Sequence, residues 1–323
     1  MGVGSVVKTY EVVMATCNGE RFVDEQIVCI LQQTVVPQRL LVADDHSSDR
    51  TVQRLRYWQQ HSSVPIELLP LEGLERLGSC RNFERLLQAS AAPYVMLADQ
   101  DDLWDLNKAE RLLHQMALLE QRLGSERSLL VHADLRLIDA EGRALSPSFH
   151  RLQGLKPERH GLLEIGMQNV VTGCASMLNR ACVLQALPFP AEAVLHDWWL
   201  ALVAAQAGGL AYLREPCMSY RQHRTNVVGA VGWRRQLLLR IHGVVARNPR
   251  AVVVRLISPG LLQVRAFLDR SGPTDLAALW QLLWSYSRWV RLSTALRLGL
   301  RKHGLWRTAG FYAALVYCRP SGH

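Results

Sequence analysis

Long uncharged apolar runs are missing from this chain. No stretch of its 323 residues approaches the ~18 that a membrane-spanning helix needs. Paired cysteines are missing too. Cys17, Cys29, Cys80, Cys174, Cys182, Cys217 and Cys318 are odd in number, scattered, and contain no CxxC pair. That argues against a disulfide framework or a thiolate zinc site and for a reducing compartment. No secretory leader is expected, because MGVGSVVKTYEVVMAT has one lysine, a short apolar run and then a strand-like pattern. The Met-Gly start is followed by Ser5 but by no Ser or Thr at the sixth position, a weak myristoylation signal. There is no internal repeat and no low-complexity tract. With about half the residues apolar and a fifth charged, a disordered chain is excluded.

Acidic residues are scarce in one region only. From Trp233 to His323 there are 15 Lys+Arg against 2 Asp+Glu, and five of the nine tryptophans. The remainder holds 22 basic and 26 acidic residues. A shift this sharp sets a boundary near residue 232, with a first unit over 1–232 and a basic helical extension over 233–323. Segments 233–247 and 276–302 mix Arg with Leu, Val and Trp, a composition that favours an anionic bilayer surface. Helices packed on the first unit with their arginines in solvent would have the same composition. No nucleic-acid motif accompanies the charge, so nucleic acid is not an expected partner.

In the first unit, strands and helices alternate. YEVVMAT (10–16), RLLVA (39–43), IELLP (66–70) and YVMLA (94–98) read as short strands. Between them, Val23, Ile27, Ile30 and Leu31 have helix-face spacing. Ser48 or Asp49 stands where a cap belongs before VQRLRYWQQ, and a helix is expected over Asn82–Ser90. A longer helix is expected over about 104–123. SLLVHADLRLID then alternates like a strand before the turn AEGR. HDWWLALVAAQAGG reads as a helix closed by Gly208-Gly209, and AYLREPCMSYRQH as a strand broken at Pro216. This order implies an α/β fold with a mixed, mainly parallel sheet flanked by helices. Residues 1–103 would form one half of the unit and 104–232 the other.

Three polar clusters end successive predicted strands: Thr16–Asn18, Asp44-Asp45 and Asp99–Asp102. In open α/β sheets ligands bind at that edge. In LADQDDLW, strand alternation would put Asp99 and Asp101 on one face, suited to a shared Mg²⁺ or Mn²⁺. Asp102 would cap the following helix. All three acids could equally be turn and cap residues. DDHSSD could be a turn plus a cap, or Asp44 could accept hydrogen bonds from a nucleotide base or ribose. Arg81-Asn82 could be a solvated helix start, or a cation and an amide near phosphates. Asp197 could cap its helix, or act as a general base with an indole of Trp198 or Trp199 shaping a sugar pocket. Arg221 and His223 alternate onto one face and could reach a diphosphate.

Together the stretches MATCNGERFVDEQIVCILQQT, VADDHSSDRT, CRNFERLLQAS, LADQDDLWDLNKAERL, VVTGCASMLNR and HDWWLALVAAQAGGLAYLREPCMSYRQHRTNVVGA resemble the family 2 glycosyltransferases, whose fold is GT-A. They look most like the bacterial rhamnosyltransferase-like branch, which builds O-antigen and other surface polysaccharides. The resemblance covers roughly residues 10–230. It implies transfer of one sugar from a nucleotide-diphosphate donor (dTDP- or UDP-linked) to a hydroxyl of a glycan or lipid-linked acceptor, with inversion. By the same resemblance Thr16 and Asn18 line the nucleotide, and Asp44 with Asp45 holds base and ribose. Arg81 lies near the nucleotide, and Asp99 and Asp101 are the DxD pair that meets Mn²⁺ or Mg²⁺. Asp197 is the catalytic base, and His223 approaches metal or diphosphate.

Two departures accompany the resemblance: Cys17 stands where many relatives have an aromatic, and His196 where an acid often precedes the base. The QxxRW signature of processive synthases is absent, which favours single-sugar transfer. A cytoplasmic enzyme, peripheral on the inner face of the plasma membrane, is the expected setting. Two other readings compete. One is a nucleotide-sugar-binding assembly protein without turnover. The other is a HAD-type phosphatase, whose nucleophile would normally stand where this chain has Thr16-Cys17-Asn18.

Overall fold

The structure, a computed structural model, describes residues 9–70, 73, 75–223, 260, 262–272, 276–277 and 287–317. The boundary near residue 232 and the segment 233–247 lie outside the described residues, as does part of 276–302. Among the described residues no helix is long and apolar enough to cross a membrane.

The first strands form where expected: β1 (Tyr10–Thr16), β2 (Arg39–Asp44), β3 (Ile66–Leu68) and β4 (Tyr94–Ala98). They pair in parallel in the order β3-β2-β1-β4. Their residues alternate between two cores, as the two-residue period of a strand requires. Val13, Leu41, Ala43, Val95 and Leu97 face helices α3 (Gly78–Ala89), α7 (Arg180–Ala186) and α8 (His196–Gln206). Tyr10, Val12, Met14, Leu40, Val42 and Met96 face α1 (Val23–Leu31), α2 (Thr51–His61) and α4 (Lys108–Leu123). Burial on both faces is why these strands read as near-continuous apolar runs.

The sheet continues through β9 (Ser176–Asn179), antiparallel to β4, then β6 (Leu130–Ala133) and β10 (Leu210–Leu213). Because β9 runs against β4, the turn that opens β9, Gly173–Ala175, lies at the edge where β4 ends. A second sheet has the order β5 (Leu103–Trp104), β11 (Met218–Gln222), β7 (Arg136–Asp139) and β8 (Ala144–Ser146). The predicted strand SLLVHADLRLID is thus two strands in two sheets, and β7 and β8 form the hairpin at AEGR. The break at Pro216 likewise separates β10 from β11.

Two helix starts differ from the sequence reading. Helix α3 begins at Gly78 rather than Asn82, because the Asp45 carboxylate accepts the N–H groups of Leu77 (2.7 Å) and Gly78 (2.9 Å). Helix α4 begins at Lys108 rather than at residue 104, because Leu103 and Trp104 pair with Ser219 and Met218. The cap position before α2 is Arg50, without a side-chain cap bond; of the two candidates, Asp49, one residue earlier, accepts the Thr51 N–H at 3.0 Å.

The described part of the basic extension packs on the first unit. Val264, Phe267, Leu276, Ala295, Leu300, Phe311 and Leu315 join the core around Ile165 and Trp199. Gln263 accepts the Val194 N–H at 2.8 Å, His303 accepts the Lys156 N–H at 2.8 Å, and Arg291, itself buried, donates to the Leu315 carbonyl. The Gly260 Cα faces the Trp198 ring so closely that a β-carbon would come within 2.8 Å of it.

Candidate active site

The carboxyl ends of β1, β2 and β4 form one floor. Thr16 and Asp44 are register partners, and the Thr16 hydroxyl donates to Asp44 Oδ1 at 2.8 Å. Asp44 also accepts the Ser47 N–H (2.8 Å) and hydroxyl (2.6 Å). Asn18, in the left-handed region at φ 51°, accepts the Ser48 N–H at 2.8 Å, while its own N–H reaches Ser47 Oγ at 2.7 Å. These bonds fasten the 46–48 loop to the end of β1. The Gln100 side chain exchanges two hydrogen bonds with the Cys17 backbone, each 2.9 Å. It passes so close to Gly19 that a β-carbon there would stand 2.2 Å from Gln100 Oε1. A larger residue there would push the Gln100 amide out of its two bonds to Cys17.

The acidic run 99–102 divides differently from the strand-parity expectation. Strand β4 ends at Ala98, so alternation does not carry to Asp101. Asp101 Oδ2 lies 2.6 Å from His223 Nε2. The ligand atoms of Asp99, Asp102 and Cys174 lie within 4.8 Å of one another. Asp102 is no helix cap: it is buried, its Oδ1 accepts the Arg221 N–H at 3.1 Å, and its Oδ2 has no hydrogen-bond partner among the described residues. The helix it was expected to start begins six residues later, because β5 intervenes. Burial, and then the neighbouring Asp101, raises Asp99 to about 7. The same two causes hold Asp102 well above the usual carboxylate range.

Two residues that sequence reasoning did not place in the site, Lys108 and Phe22, support this run together with Arg221, which it did. Lys108 is fully buried, with Nζ donating to the Cys174 carbonyl at 2.5 Å and lying 3.4 Å from the Trp104 ring centroid. Burial lowers its pKa to about 8, although Cys217, Cys174, Asp102 and Asp99 oppose that shift. With the helix expected from about residue 104, the sequence held no signal for this role; as the first residue of the observed helix the lysine opposes the helix dipole. Arg221, 3 % exposed, donates to the Asp101 carbonyl (2.9 Å), the Ala140 carbonyl (3.1 Å) and Glu25 Oε2 (2.6 Å). The Phe22 ring lies under its guanidinium, 4.7 Å from ring centroid to Cζ, and stacks on His223 at 5.1 Å.

Asp197 stands in the first turn of α8, beside the turn Gly173–Ala175. Burial raises its pKa to about 6, although the backbone N–H groups of Trp198 and Gly173 favour its ionised form. Gly173 leaves room for its neighbours, since a β-carbon there would meet His196 Nε2 at 2.7 Å. His196 stacks on Phe83 at 4.0 Å, and burial lowers its pKa to about 3, so the ring is neutral.

Three residues expected in the site are engaged elsewhere. The Arg81 guanidinium pairs with Glu84 (2.6 Å) and donates to the carbonyls of Phe189 (3.1 Å) and Pro190 (2.5 Å). It fastens the 187–190 segment to α3. Trp199 is fully buried, packs on Phe189 and Phe267, and donates to the Ala186 carbonyl at 2.9 Å. Trp198 donates to the Ile165 carbonyl at 2.7 Å and faces Gly260. The indoles are core and inter-segment packing rather than a sugar pocket.

The profile described as Glycosyl transferase family 2 matches residues 11–120, which include every strand end of the floor. The dTDP-rhamnosyl transferase RfbG of Shigella flexneri is 26% identical over 229 residues, covering 67% of this chain and 74% of that protein. Residues 11–120 carry a family 2 glycosyltransferase domain, and the protein is a glycosyltransferase. Another relative of this glycosyltransferase is the UDP-Glc:alpha-D-GlcNAc-diphosphoundecaprenol beta-1,3-glucosyltransferase WfgD of Escherichia coli. It is 30% identical over 105 residues, which are 32% of this chain and 40% of that protein. Among solved structures, S. aureus TarS 1–349 superposes with a TM-score of 0.52 at 15% identity, covering 91% of this chain and 92% of that 1–349 chain. The shared fold is GT-A.

Proposed function

We propose that the enzyme moves one sugar from a nucleoside-diphosphate donor to an acceptor hydroxyl, with inversion and with the help of Mn²⁺ or Mg²⁺. dTDP-rhamnose is the first donor to consider, given the likeness to a dTDP-rhamnosyl transferase. The reading rests above all on the Asp101–His223 contact of 2.6 Å at the edge where β4 ends. A carboxylate oxygen and an imidazole nitrogen this close together are two ligand atoms that one divalent cation can take up. This oxygen and nitrogen set, completed by diphosphate oxygens, suits Mn²⁺ or Mg²⁺. The nearby Cys174 thiol is held protonated by burial, so it adds no thiolate ligand. When bound, the cation neutralises charge on the departing nucleoside diphosphate.

The residues divide the remaining work. Thr16, Asn18, Asp44 and Asp45 build the nucleotide floor; Asp44 in addition accepts from base or ribose. Asp99 lines the donor side with Asp101. Asp197 takes the proton of the acceptor hydroxyl as its oxygen bonds to the anomeric carbon and the bond from that carbon to the diphosphate oxygen breaks. A base with a pKa near 6 is ionised at neutral pH and still accepts a proton readily. A panel of nucleotide sugars tests the donor. With Mn²⁺, dTDP-rhamnose is expected to raise Tm by several degrees at a hundredfold excess over Kd, and without metal it does not. A larger metal-dependent shift with a UDP-hexose would reassign the donor, and no shift with any nucleotide sugar would refute the reading.

The setting proposed is the inner face of a bacterial plasma membrane, with a glycan or lipid-linked acceptor. The helix Arg288–Arg297 supports it. Trp289 (64% exposed) and Leu296 (58%) face solvent beside Arg288 and Arg297, the mixture that favours anionic lipid. The full chain is expected to float with vesicles containing phosphatidylglycerol, and Trp289→Ser with Arg297→Glu to lower the bound fraction severalfold. Equal flotation of the variant would remove this surface from the proposal.

A further inference from the structure

The segment between α6 (Leu162–Met167) and β9 touches both sides of the cleft. At its far end, the Cys174 thiol lies against Asp99 and Asp102, and the Cys174 carbonyl holds Lys108. At its near end stands Asn169, which nothing above has given a role. Its Oδ1 accepts the Val171 N–H at 2.9 Å, and its Nδ2 donates to the Val171 carbonyl at 3.0 Å and to Asp197 Oδ1 at 3.2 Å. A backbone N–H can only donate, so the Val171 bond fixes which amide atom is oxygen. The NH₂ group is thereby turned to the Asp197 carboxylate.

We propose that Asn169 is the positioning residue of Asp197: its side-chain N–H holds the carboxylate in the orientation from which it takes the acceptor proton. The inference rests on the reading of Asp197 as the base. A base oriented by a third group is a recurring arrangement in sites with weak hydroxyl nucleophiles. The other groups that face Asp197 cannot replace this donor. Asp99 at the end of β4 is a carboxylate, and the Cys80 thiol on α3 donates to the Ala193 carbonyl at 3.5 Å. His196, on the same helix, is stacked flat on Phe83. The N–H groups of Gly173 and Trp198 also favour the ionised carboxylate, and Asn169 adds a side-chain donor to them.

The pH dependence gives the test. Hydrogen bonds to an ionised carboxylate favour that form, so losing one raises the pKa. Asp197 works only when ionised, so the acid limb of kcat/KM moves to higher pH. For Asn169→Ala the limb is expected to rise by about half a unit to one unit. kcat should fall about tenfold at pH 6.5 and less at pH 8.5, with donor KM and metal half-saturation within about twofold. Asn169→Asp keeps an acceptor for the Val171 N–H, so the loop stays anchored, yet it removes the donor and adds a like charge. Its limb is expected to move further upward. A loss of kcat equal at every pH in both variants, with the limb unmoved, would overturn the inference and reduce Asn169 to a loop anchor. Asp197→Asn, measured alongside, separates the two readings. If it is inactive while the Asn169 limbs stay in place, the positioning role alone fails. If it transfers sugar like the wild type, the base assignment fails and the inference with it.

Discussion

Asp101→Asn is expected to abolish metal-dependent sugar transfer, by on the order of a hundredfold or more. The amide keeps the shape of the carboxylate but loses the charge that opposes a dication. The loss should appear in binding as well as in rate. Addition of Mn²⁺ stabilises the wild type toward nucleoside diphosphate in a thermal melt, and that synergy should vanish in the variant. His223→Ala is expected to weaken the same synergy to a smaller degree, because it removes a neutral donor rather than a charge. The folded state should survive both changes, since Arg221 holds the Asp101 carbonyl and Asp102 through backbone and carboxylate bonds that neither substitution touches. If Asp101→Asn retains both transfer and metal-dependent nucleotide binding, the metal assignment is wrong.

Asp197→Asn should separate binding from chemistry. Transfer is expected to fall by ~10²–10⁴, the usual contribution of a general base, while Mn²⁺-dependent nucleotide affinity stays within about threefold. In the wild type, kcat/KM should decline as pH drops through about 6, where burial places the Asp197 pKa, because the protonated carboxyl cannot accept the acceptor proton. Stability should change in the opposite sense. A carboxyl whose folded pKa is raised costs the folded state stability that grows as pH rises from the unfolded to the folded pKa and is complete above it, since ionisation is easier in the unfolded chain. The amide carries no such cost. The Tm of Asp197→Asn is therefore expected to equal or exceed that of the wild type above pH 6, with the advantage gone below about pH 4. A variant that transfers normally, or that loses nucleotide binding in parallel with transfer, contradicts the assignment.

The sheet and its ligand edge were legible because each strand announces itself locally. YEVVMAT, RLLVA and YVMLA are β-branched or apolar runs that stop at polar turns, and the structure places all three as read. The roles of single acids were less legible, because capping and ligand binding demand the same residue types. Asp45 and Asp49 accept N–H groups at helix starts. Asp102, which had the spacing of a cap, is a buried carboxylate beside Arg221 instead, since a two-residue strand intervenes that no periodicity could show. The contacts that Arg81, Trp198 and Trp199 make were illegible for a related reason. Their partners are carbonyls of residues 186–190 and Ile165, and backbone carbonyls leave no mark in a sequence. Lys108 and Asn169 act through contacts more than sixty and nearly thirty residues distant, beyond the reach of local pattern.

The turn Gly173–Ala175 has a bearing on how such enzymes can be recombined. It lies in the half of the unit after residue 103, yet the carboxylates it touches lie before that point. Arg221 and His223 reach back across the same divide. A donor pocket taken as residues 1–103 would arrive without the lysine beneath it, the thiol beside it or the imidazole opposite Asp101. Exchanging the first half between two such enzymes to alter donor choice would thus sever the pocket along its own midline. A working exchange would have to carry the far wall as well, down to the turn on which Asp197 rests.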